Sequence, residues 1–84
     1  MTSLTDKADL LKLLLAERDA MATALRRMPL TTSWQTVHRL KNRYEGLSRR
    51  LTRLQKDLEP HAAGLARTNP ELPALLMRVR RDFR

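Results

Sequence analysis

Apolar residues return every three or four positions through the middle of the chain: Val37, Leu40, Tyr44, Leu47, Leu51, Leu54 and Leu58. These are positions a and d of a seven-residue repeat, and on a helix they form one narrow apolar seam. Thr32-Ser33-Trp34-Gln35 reads as a capping box with Thr32 as N-cap. Pro60 stops the helix, because proline lacks an N–H and restricts the residue before it. The pattern predicts a helix over 32–58, about 40 Å long at ~1.5 Å per residue. Such a length suits a hairpin or a coiled coil rather than the interior of a small globule.

Residues 4–28 carry a different pattern. Leu4, Leu11, Arg18 and Leu25 fall at a, and Lys7, Leu14, Met21 and Met28 at d. The flanking positions add Ala8, Leu10, Leu15, Ala22 and Ala24. This is a wide apolar face, and a wide face needs two neighbours where a seam needs one. Ser3 or Thr5 serves as N-cap, with Asp6 and Asp9 favouring the positive end of the helix dipole. Pro29 ends this helix, and the short link through Leu30 and Thr31 makes the two helices antiparallel neighbours. In that register Leu47 and Leu51 stand opposite Leu14 and Leu11. Arg18, at a seam position, packs its stem and sends its head to water or to a carboxylate such as Glu17 or Glu45. Gly46 lies at an outward position of the second helix and costs roughly 1 kcal/mol against alanine. It reads either as drift or as the mark of a close approach by a partner backbone.

Beyond the hairpin, 59–71 mixes breakers with a single helical turn at 61–66 and reads as a bend and linker. A final helix occupies 72–84, beginning near Asn69, with Asn69-Pro70 as N-cap and N1, or near Leu72, the later start that Pro73 argues for. Leu72, Leu75, Leu76, Val79 and Phe83 make its apolar stripe, while Arg78, Arg80, Arg81 and Arg84 lie mostly off it. So short an amphipathic helix needs a surface to dock on. The expected fold is all-α: a long, coiled-coil-like antiparallel hairpin over 1–58, then the linker, then a short basic C-terminal helix.

Composition narrows the function. The 84 residues amount to one small domain, which buries only about 60% of its unfolded surface. A partner subunit is therefore expected. With no cysteine there is no disulfide framework and no thiolate metal site. The N-terminus shows no signal-peptide pattern, and the longest unbroken apolar run, Leu13 to Ala16, is far short of a membrane span. The expected location is the cytoplasm.

The net charge of +8 is uneven: +1 over 1–28, +5 over 29–58 and +2 over 59–84. Thirteen of the seventeen bases are arginine, which suits phosphate and carboxylate partners and also follows from a GC-rich genome. Arg39, Arg43, Arg49, Arg50, Arg53 and Lys56 form a positive face opposite the seam, a candidate for anions or nucleic acid. Trp34, Tyr44 and Phe83 are the only aromatics, so stacking on single-stranded bases is poorly supported. His38 and His61 have no ligand-spaced neighbours, and no glycine-rich phosphate loop is present. No enzyme, metal, cofactor or small-molecule substrate is expected. A membrane is not an expected partner either, because the C-terminal helix is a weak anchor.

The reading that follows is a non-enzymatic protein-interaction module, an adaptor, chaperone or regulator working in a homo- or hetero-oligomer. Its expected interface is Leu10, Leu11, Leu14, Leu15, Met21, Leu25, Leu72, Leu75, Leu76, Val79 and Phe83. The alternative is a basic hairpin dimer that binds nucleic acid along the arginine face.

Overall fold

The computed structural model describes residues 3–82 and is all-α, with no strand among the described residues. Helix α1 runs Leu4–Arg27 and α2 runs Trp34–Leu58. A 3-10 turn at Glu59–His61 leads into a single helical turn, α3, at Ala62–Leu65, and α4 spans Leu72–Asp82. Helices α1 and α2 form an antiparallel hairpin, whose register is marked by the ion pair from Lys7, near the start of α1, to Asp57, near the end of α2, at 3.4 Å.

The caps follow from short polar side chains. Ser3 accepts from the Asp6 backbone N–H, so it is Ser3 and not Thr5 that opens α1. Helix α2 departs from the expected capping box. Its N-cap is Ser33, whose Oγ accepts from the Thr36 N–H at 3.3 Å, one residue past Thr32. The Thr32 N–H instead donates to the Pro29 carbonyl and closes the connecting turn, so it is not left for the Gln35 side chain as a capping box requires. The last helix begins at Leu72, not at Asn69. Pro73 sits in its first turn, where a missing N–H costs nothing. Asn69 is buried, and its Oδ1 accepts from Lys12 Nζ at 3.0 Å, which ties the loop before α4 to α1.

The hydrophobic core occupies only one end of the hairpin. Ala8, Leu11, Leu14 and Leu15 of α1 meet Leu47, Leu51, Leu54 and Leu58 of α2, and Leu72, Leu76 and Val79 of α4 complete it. No residue between Asp19 and Gly46 is buried. Where α4 supplies a third wall the seam is sealed, and beyond Asp82 the hairpin continues as a two-helix arm. The shape reflects this: the radius of gyration is 14.7 Å and the extents are 48 × 24 × 21 Å, against about 12 Å for a compact chain of this length. Part of the wide face of α1, at Ala8, Leu11 and Leu15, therefore shares a core with the C-terminal helix of its own chain.

Charged pairs hold α4 at both ends. Lys12 bridges to Glu71 just before it. At its far end Arg18 Nη2 donates to Asp82 Oδ2 at 2.6 Å, and Arg78 Nη2 donates to Asp19 Oδ1 at 2.5 Å. Arg80 bridges to Glu59, which also accepts from Gln55 at 2.6 Å. Arg18 is thus buried as a seam residue, but among the described residues it pairs with Asp82 on α4 and not with Glu17 or Glu45. The Lys12 ammonium and the Glu71 backbone N–H hold the Glu71 carboxyl below its ordinary value of 4.5. Asp19 raises the already high pKa of Arg78 further.

Leu51, fully buried against α1, is the test of this register. Leu51→Ala should cost about 2–5 kcal/mol in urea unfolding, whereas Leu30→Ala at the fully exposed tip should stay within about 0.5 kcal/mol. The docking of α4 should also weaken in acid. A carboxyl whose folded pKa is depressed contributes stability above its ordinary value, and that contribution is lost as pH falls through the folded pKa. Thermal midpoints should therefore drop below about pH 4.5, and Glu71→Gln should remove part of that drop.

Candidate functional site

Helix periodicity sorts the surface into sides. Advancing about 100° per residue, Arg39, Arg43, Gly46, Arg50, Arg53 and Asp57 follow one another at spacings of four and three, and so form one stripe beside the α2 seam. Ser48 and Gln55 lie on the other side of that seam and are buried under α4. The stripe therefore borders the hairpin face that α4 leaves open. On α1 the matching border carries Leu10, Leu13, Glu17, Met21 and Ala24.

Between the two borders lies a cleft of about 300 Å³, lined by Glu17, Met21, Arg43, Gly46, Leu47 and Arg50. Its walls differ in chemistry. The α1 wall is apolar except for Glu17, with Leu10 and Met21 half-buried and Leu13 68% exposed. The α2 wall is basic, interrupted by Gly46 and ended by Asp57. A methyl group added at Gly46 would meet nothing within 4 Å, so its position opens on the cleft and not on its own chain. The Lys7–Asp57 pair closes the groove at the core end.

The arginine face divides accordingly. Arg39, Arg43, Arg50 and Arg53 border the groove, whereas Arg49 and Lys56 fall on the outward back of α2. All six are exposed, and none has a carboxylate within 4.0 Å among the described residues. The acids are engaged elsewhere. Asp19, Glu59, Glu71 and Asp82 all pair across the α4 contact, and Asp57, at the end of the stripe, pairs with Lys7, leaving Glu17 and Glu45 as the other acids near the α2 stripe.

The expected apolar interface residues separate into two groups. Leu11, Leu14, Leu15, Leu72, Leu76 and Val79 are buried within the chain, joining α1, α2 and α4 to one another. Leu10, Met21, Leu25 and Leu75 remain half-buried, and Phe83 lies outside the described residues. Leu13 belongs to the open face although it falls outside the heptad seam, and its place one residue before Leu14 was the signal for it. Leu30 and Trp34 stand exposed at the hairpin tip, and Met77 on the outer side of α4. His38 stacks on Trp34 with ring centroids 5.0 Å apart, and His61 is exposed at the bend. No helix among the described residues is long and apolar enough to cross a membrane.

Like charges at i,i+4 and i,i+3 along an exposed helix repel. Replacing Arg39 and Arg43 together by glutamine should therefore leave the thermal midpoint unchanged or slightly raised, read by circular dichroism. A cooperative loss of helix would show that these side chains support the fold. The chain matches no protein-family profile, no curated protein and no solved structure.

Proposed function

We propose that this chain is a non-enzymatic helical binding module, an adaptor, chaperone or regulator, that engages a partner protein through the hairpin face opposite α4. One observation carries the reading. The seam beyond Arg18 is covered on neither side, and Met21, Leu25, Met28, Val37, Leu40 and Tyr44 are only half-buried there. Apolar surface removed from water is worth about 25 cal/mol per Å², so a partner laid along this arm gains what the chain leaves unused. On the wide face of α1, α4 and the seam bury Ala8, Leu11, Leu14 and Leu15 only. The remaining wall is basic, and two copies would bring like charges together. The partner is therefore a different protein, and we assign the complex to the cytoplasm.

A second reading has its own support. Six exposed bases without acidic partners among the described residues are suited to a phosphate backbone.

Salt separates the two. Alone at low micromolar concentration the chain should sediment as a 9.8 kDa monomer, and a stable dimer would move the reading to self-association. The protein partner should be retained from nuclease-treated cell extract and, held by its apolar side, weaken less steeply with salt than a phosphate backbone does. If a DNA duplex is instead the ligand, log affinity should fall with log salt by about 0.9 per neutralised phosphate. Arg50→Gln with Arg53→Gln should then make that slope shallower by about one for each arginine that had met a phosphate.

A further inference from the structure

We infer that the open α1–α2 groove seats an acidic amphipathic helix of a partner protein, its apolar side on Met21 and Leu47 and its carboxylates on Arg43 and Arg50. The inference rests on the partner-binding reading above and specifies the chemistry of the partner. The chain already shows how it seats a helix. On the opposite side, α4 buries an apolar stripe of Leu72, Leu76 and Val79 while charges of opposite sign meet along the rims, Arg78 on Asp19, Asp82 on Arg18 and Arg80 on Glu59. The open groove has the same construction with its rim unmatched. Its apolar floor is Met21 and Leu47, and its rim is Arg43 and Arg50, extended along α2 by Arg39 and Arg53. The complement of that rim is a line of carboxylates at helical spacing.

Gly46 adds a steric argument. It sits among these arginines in mid-helix, at a position where glycine weakens α2, and the space over it is empty. An adjoining helix can approach the α2 backbone closely at this point, as at the small-residue contacts where helices pack most tightly. Duplex DNA fits the groove less well. It makes no use of the Met21 and Leu47 floor. A second copy of this chain fits less well still. Its own exposed stripe on α2 is basic and would set like charges against the same rim.

The test uses the full chain and three fluorescent probes: a helical peptide with a leucine stripe flanked by glutamates, its isomer with lysines for glutamates, and a DNA duplex of equal length. Anisotropy at physiological salt should show saturable binding of the acidic peptide, at least tenfold tighter than either other probe. Gly46→Leu fills the groove without changing charge. It should weaken the acidic peptide at least tenfold while the thermal midpoint holds or rises. Arg43→Gln with Arg50→Gln should weaken it similarly. Equal binding of the acidic peptide by wild type and Gly46→Leu would overturn the groove as the site, as would tighter binding of the duplex.

Capture from nuclease-treated extract distinguishes this failure from failure of the broader reading. A partner protein retained equally by wild type and by Gly46→Leu leaves the binding module standing and overturns the groove. Retention of nucleic acid alone from untreated extract overturns both.

Discussion

The docking of α4 onto the hairpin is the constraint from which the rest of this structure follows. Two antiparallel helices bury side chains only along the line where they touch, and each flank of that line stays open to water. A third helix seals one flank. Leu72, Leu76 and Val79 do so for about half the hairpin, and every buried apolar residue lies in that half. Residues 19–46 keep their seam half-exposed because α4, which spans Leu72–Asp82, does not lie over them. The elongated shape, the one-ended core and the open arm are three consequences of one short helix.

Docking also decides where charge is spent. Chain-wide, bases outnumber acids by seventeen to nine. Most of the acids that pair do so around α4, where Glu71 and Asp82 reach Lys12 and Arg18, and Asp19 and Glu59 reach Arg78 and Arg80. Exposed pairs of this sort contribute little stability, typically about 0–1 kcal/mol each. Their effect is on position: the Arg18–Asp82 pair, with Arg18 buried, sets where the last turn of α4 lies along α1. With the acids engaged there, the Arg39–Arg53 stripe of α2 is left uncompensated. The functional proposals come from that asymmetry and from the flank that α4 leaves open.

The helices were legible because the signals for them are local. Apolar spacings of three and four, Ser3 ahead of Asp6, and Pro29 and Pro60 as stops all act within a few residues of themselves, and α1, α2 and α4 lie where such signals set them. The choice of Ser33 over Thr32 as N-cap is just as local but does not follow from residue type, since serine and threonine both cap well. It depended on the Thr32 N–H closing a turn onto Pro29. The partner of Arg18 was illegible for a plainer reason. Asp82 lies 64 residues away, and no periodicity within α1 points to it.

The candidate site divides along the same line. The sequence alone determined that α2 carries a basic face and α1 more apolar width than one neighbour can cover, because both are periodicities within single helices. Tertiary structure alone decided which of those side chains are spent. It placed Leu11, Leu14, Leu15, Leu72, Leu76 and Val79 inside the chain. It set Arg43 and Arg50 across from Met21, with Gly46 between them, and left Arg49 and Lys56 on the outer back of the helix. The physical reason is that α4 could cover either flank of the hairpin. The stripe residues on both flanks obey the same spacing rule, and only the packed arrangement shows which flank stays open.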